Sequence, residues 1–164
     1  MSLRIALGVL PVLSSSCVLP VGPEFQDPPG NLAPYLASSN PPAGAVLPES
    51  SPTIEVVLGD ANEGDKLVGR WFIDYPVFEA SATRMAQEFR LPPTGKAERG
   101  KIRFAPNCAD DKIASGLSSH RITLSVADRP FLPEDQAPDP LRFDSVPAEG
   151  FVVRATWILN LTCP

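Results

Sequence analysis

The chain has one histidine, three cysteines and two methionines among 164 residues, and aromatic residues make up only 7%. Each scarcity narrows the chemistry. A single histidine, His120, and no Cys-x-x-Cys spacing leave too few nitrogen and sulfur ligands for a zinc site. No Gly-x-Ser-x-Gly elbow holds a serine nucleophile, so the Ser118-Ser119-His120 run reads as the start of a strand rather than as a catalytic pair. No glycine-rich phosphate loop follows a strand-like run. The paired acids Asp110-Asp111 and Glu134-Asp135 sit among charged and proline neighbours, a poor setting for a general acid and base. The formal net charge is −5, with no basic run. That balance argues against nucleic acid as a partner and against a polybasic grip on anionic lipid.

What is present begins at the N-terminus. Arg4 precedes an apolar run, Ile5 to Leu13, and then Ser14-Ser15-Ser16-Cys17. A positive start, a short apolar stretch and small residues before a cut make an export signal. The run is well short of the roughly 20 apolar residues needed to span a bilayer, and Pro11 interrupts it. Leu13-Ser-Ser-Ser-Cys17 resembles the lipobox of bacterial lipoproteins, with Ser14 where the family prefers an aliphatic residue. The resemblance implies cleavage before Cys17 and lipid on that cysteine, a firm anchor when several chains are attached. Val18, not an aspartate, follows the cysteine, which in the enterobacterial sorting pattern implies the outer membrane. The alternative is ordinary cleavage near Ser16, leaving a secreted protein with a free thiol.

If Cys17 carries lipid, Cys108 and Cys163 remain. An even pair in an exported protein is expected to form a disulfide, with two free thiols as the alternative. The expected organisation is a signal peptide over 1–16, a lipidated proline-rich tether over 17–31, and a single β-sandwich over 32–164. A proline-rich stretch is extended, at about 3.1 Å per residue, so the tether reaches roughly 40 Å.

Twenty prolines punctuate the chain and leave little room for long helices. Between them lie short alternating runs. Thr53–Leu58 places Ile54, Val56 and Leu58 on one face. Leu67–Tyr75 places Leu67, Gly69, Trp71, Ile73 and Tyr75 inward, leaving Arg70 and Asp74 toward solvent beside Val68 and Phe72. His120–Ala127 turns Ile122, Leu124 and Val126 inward and Arg121, Thr123 and Ser125 outward. Phe151–Leu161 is the longest such run, with Trp157 on its inner face. Ala33–Ser38 and Lys101–Phe104 are weaker ones. In Pro76–Gly100 the pattern fits either a helix over Ala80–Phe89 or a strand over Thr83–Leu91. Turn-separated strands with no helical alternation between them predict an all-β sandwich.

Val57 to Asp74, with its Gly59-Asp60 strand end, Gly64-Asp65 turn and Trp71, resembles a segment of bacterial immunoglobulin-like domains of the polycystin-repeat and cadherin-like types. Leu117 to Asp128 is similar to their penultimate strand. The resemblance implies a single immunoglobulin-like sandwich in which Trp71 is the central core aromatic. The cysteines depart from the antibody pattern, so a Cys108–Cys163 bridge pins the tail of the last strand to a loop. Related domains bind calcium between modules. Asp60, Asn62 and Asp65 offer oxygen ligands on one turn, with Asp128 at a strand end, although the same side chains cap such turns through backbone bonds.

No catalytic constellation emerges and no cofactor is implied. The function expected is non-enzymatic: a membrane-anchored envelope lipoprotein serving as a protein-binding or structural module, with an envelope protein as partner. The rivals are a calcium-dependent adhesion module and a divergent envelope hydrolase built from the Pro76–Gly100 and Arg129–Ala148 loops. Phe72 and Val68 are candidate contact residues unless the Pro76–Gly100 segment covers them.

Overall fold

The computed structural model describes residues 30–47, 53–75, 84–108, 113, 117–138 and 143–162. Among these residues eight strands run in chain order: β1 Tyr35–Asn40, β2 Val46–Leu47, β3 Ile54–Gly59, β4 Leu67–Ile73, β5 Arg84–Leu91, β6 Glu98–Phe104, β7 His120–Ala127 and β8 Val152–Leu159. A 3-10 turn at Glu134–Gln136 lies in the β7–β8 connection. The run whose pattern fits either helix or strand is a strand, β5.

The strands form two sheets. One has the order β1-β3-β6, the other β2-β8-β7-β4-β5. All pairings are antiparallel except β2 with β8. Between β1 and β2 the chain leaves the first sheet for the second, and the Asn40–Pro41 peptide bond at this crossing is cis. Two packed sheets, with the penultimate strand beside both the last strand and the tryptophan strand, give an all-β sandwich.

The inner faces follow from period-two alternation. Ile54, Val56 and Leu58 of β3 meet Leu67, Trp71 and Ile73 of β4, with Ile122, Leu124 and Val126 of β7 and Trp157 and Leu159 of β8, in one continuous core. Trp71 is fully buried and stacks on Phe104 of the opposite sheet at 4.8 Å between centroids. Fully burying an apolar side chain of this kind contributes about 1.5–3 kcal/mol. The Trp157 indole N–H donates to the Pro41 carbonyl at 3.0 Å, so the polar end of that ring is satisfied.

The outer face of the larger sheet departs from simple alternation. Phe72 is fully buried, and so are Thr123 and Ser125, although all three point away from the core between the sheets. Among the described residues, cover over this face comes from the β7–β8 connection; residues 76–83 of the Pro76–Gly100 segment lie outside them. Phe131, Val146 and Val152 close over Val68 and Ala127 as a second, smaller apolar cluster. Tyr75 belongs to this outer face as well, contrary to the alternation that places it beside Trp71. Asp74 adopts φ 58°, a left-handed conformation uncommon for a residue with a side chain, and the reversal turns Tyr75 outward to stack on Phe72 at 4.5 Å.

A buried carboxylate fastens the cover. Asp144 is fully buried and accepts hydrogen bonds from the Tyr75 hydroxyl at 2.6 Å, the Ser125 hydroxyl at 2.8 Å and the Arg154 guanidinium. The Thr123 hydroxyl donates to the Tyr75 carbonyl at 2.7 Å, completing the polar seam. Burial pushes the Asp144 carboxyl up, but the three donors and the positive charge of Arg154 outweigh it, leaving the group below its ordinary range.

Candidate binding cleft

Between the cover and the edge strand β5 lies a cleft. Val68 and Arg70 of β4, with Lys66 just before the strand, line the cleft at alternate positions. Across the pairing, Val68 faces Arg90 and Arg70 faces Glu88 on β5. Residues 129–131 of the cover form the opposite wall, and Asp65 and Asp128 close one end. The resulting cleft has a volume of about 650 Å³, within the range of roughly 300–1,000 Å³ for ligand sites.

Its charged groups are held in place. Glu88 sits between two arginines, accepting from Arg70 Nε at 2.9 Å and Arg90 Nη2 at 3.3 Å. Burial raises its pKa, but the bonds and charges of Arg70 and Arg90 prevail, so the carboxyl lies below its ordinary range. Arg70 is fixed further by donating to the Phe143 carbonyl at 2.6 Å and by lying 4.5 Å from the Phe131 ring centroid. On the far wall Arg129 pairs with Asp65 at 3.2 Å. The neighbouring Asp65 carboxylate raises the arginine's pKa further. The Arg90 side chain remains 79% exposed and the Lys66 side chain is exposed, so both keep donors available to a ligand.

The Asp60–Asp65 turn lies at the same end of the sandwich. Asp60 is fully buried, and its Oδ1 accepts from the Asn62 backbone N–H at 2.8 Å, a side-chain turn of the kind its sequence predicts. Asn62 in turn accepts from the Leu32 N–H at 3.2 Å and donates to the Gly30 carbonyl. Asn31 donates to Asp128 Oδ2 at 2.7 Å. These bonds fasten the chain at residues 30–32, where the expected tether ends, to the end of the sandwich where the cleft opens. Arg99 donates to the Asn62 carbonyl and adds positive charge beside Asp60. Burial raises the Asp60 pKa, and the nearby Asp65 and Asp128 add to the rise against the Asn62 bond and Arg99. Asp60, Asn62 and Asp65 are therefore brought together. Among the described residues, however, no group of three or more acids, histidines or cysteines is arranged to hold a metal ion.

The other residues singled out from sequence fall elsewhere. His120 is buried at the start of β7, with Nδ1 2.9 Å from Asp74 Oδ2. Its Nε2 is buried without a hydrogen-bond partner among the described residues. Cys108 packs half-buried against the main core. Cys17 and Cys163 lie outside the described residues, as do the signal segment and most of the tether. Sequence reasoning missed Arg70, Glu88, Arg90 and Phe131 as neighbours. The alternating run Lys66, Val68, Arg70 marks a cationic strip, but nothing in it names the partners brought from β5 and the cover. No family model matches the chain, and no curated protein or solved structure matches it.

Proposed function

We propose that this chain is a non-enzymatic lipoprotein of the bacterial cell envelope, anchored through Cys17, whose β-sandwich serves as a protein-binding or structural module. The observation that carries the binding role is the cleft on the outer face of the larger sheet, with an apolar floor and charged walls already fixed by their own pairs. Such preorganisation lowers the ordering cost of recognition. The lipobox-like leader and the proline-rich segment after it support the anchor, and Val18 supports an outer-membrane destination. A Cys108–Cys163 disulfide belongs to the same reading, as does kinship with immunoglobulin-like domains of the polycystin-repeat or cadherin-like type.

Mass spectrometry of the mature N-terminus tests the anchor: the expected species begins at an acylated Cys17, and an unmodified terminus near Ser16 refutes it. Crosslinking in the native envelope tests the binding role. A specific neighbouring protein is the expected result, and recovery of none overturns it. A calcium-dependent adhesion module would draw on Asp60, Asn62 and Asp65. With Arg99 and Arg129 already supplying positive charge there, the melting temperature is expected to stay unchanged in millimolar calcium. A rise of several degrees would favour adhesion instead.

A further inference from the structure

We propose that the cleft between β5 and the cover binds an extended peptide in which a carboxylate side chain alternates with an apolar one. The inference rests on reading the sandwich as a binding module, but not on the lipid anchor.

The spacing of the strip argues for a peptide. Lys66, Val68 and Arg70 follow one another at every second position along the chain, so their side chains are separated by about 6.6 Å. Alternate side chains of an extended ligand repeat at the same interval and stay in step with them. The strip also follows the strand direction, with Glu88 and Arg90 alongside.

The chemistry specifies the side chains. Pro92 and Pro130, both exposed, and the half-buried Leu91 supply the accessible apolar surface of the cleft, above Val68 and Phe131, which the fold buries. Beside that patch stand Lys66 and Arg90, whose charges face solvent. Glu88 offers little repulsion to an incoming carboxylate, because each of its oxygens already accepts from an arginine. The acids at the end of the cleft are likewise engaged: Asp65 with Arg129, and Asp128 with Asn31 and the Phe151 N–H. The free donor capacity of the site is thus cationic on a molecule whose overall charge is −5. Anionic partners carrying an apolar group between their charges match this pattern.

The test is an NMR titration of the 15N-labelled full chain with a blocked peptide of sequence Ser-Glu-Ser-Phe-Ser-Glu-Ser, and with the same peptide carrying glutamine for both glutamates. The acidic peptide is expected to give saturable shifts at the amides of Lys66, Val68, Arg90 and Phe131, and the glutamine peptide none. Lys66→Gln and Arg90→Gln should each weaken binding about threefold, and the double variant about tenfold, as for exposed ion pairs. Both side chains are exposed, so the fold is expected to survive these changes. Absence of shifts at millimolar peptide, equal shifts with the glutamine peptide, or shifts mapping to another face overturns the proposal. So does a response confined to phosphatidylglycerol vesicles. Envelope crosslinks that persist in the double variant, alongside a failed titration, leave the binding module standing and remove only this cleft.

Discussion

Two buried carboxylates pull the stability of this molecule in opposite directions with pH. Asp144 has a folded pKa below its ordinary value of 3.8, despite burial, because Arg154, Tyr75 and Ser125 all donate to it. Between the folded and unfolded values the unfolded chain binds more protons, so stability rises with pH there. The contribution is complete above the unfolded value near 3.8 and is lost as pH falls through the lower folded one. Asp60 is shifted the other way, chiefly by burial, so its term favours the folded state below the unfolded value and is lost as pH rises through the folded one. Asp144→Ala leaves two hydroxyls and a guanidinium without their acceptor, and is expected to cost about 3 kcal/mol at neutral pH. Urea unfolding from pH 3 to 7 checks both points. The gap between wild type and Asp144→Ala should narrow toward the acid end, and a gap independent of pH would contradict the assignment.

At the scale of strands, two glycines let aromatic rings lie across the sheets. Gly69 of β4 is paired with Phe89 of β5, and a Cβ on Gly69 would fall 2.0 Å from that ring. Gly59 of β3 stands in the same relation to Tyr35 of β1, at 2.3 Å. In both cases the ring covers the backbone that the glycine exposes, and it does so from an edge strand. Gly69→Ala is expected to destabilise by about 1–3 kcal/mol through overpacking. Faster hydrogen exchange along β5 should accompany it. Phe89→Ala should then partly rescue Gly69→Ala, and strict additivity of the two changes would show that the ring is not the obstacle. The inward strand faces were legible in the sequence, since alternation over 53–58, 120–127 and 151–161 depends only on local pattern. The outer face was not. Thr123 and Ser125 read as outward-facing, and the carboxylate that meets Ser125 arrives from the long β7–β8 connection, whose prolines signal a loop but not where it lies. The reversal at Asp74 was hidden too, because no glycine marks it. The cleft arises from strand register, which brings Arg90 of β5 opposite Val68 of β4, and no spacing within either strand encodes that pairing.

For the whole molecule, the two sheets are joined through the aromatic contact between Trp71 and Phe104, while the chain is fastened at residues 30–32 to the end where the cleft opens. Trp71→Ala should therefore cost about 3–5 kcal/mol, a large share of the stability of a domain this size, as read by chemical denaturation. Removing the proposed disulfide should act more locally. Cys108→Ser is expected to retain the sandwich, with exchange increased mainly after β8, and outright loss of folding would refute the placement of that bridge at the chain's end. The pair formed by Trp71 and Trp157 has a further consequence. They are the only two tryptophans in the sequence, both fully buried, with ring centroids 5.8 Å apart and planes inclined at 43°. Indoles held so close and at a fixed angle couple their electronic transitions. The folded protein thus carries an optical signature of its own interior, a paired circular-dichroism band and blue-shifted emission, without any added label.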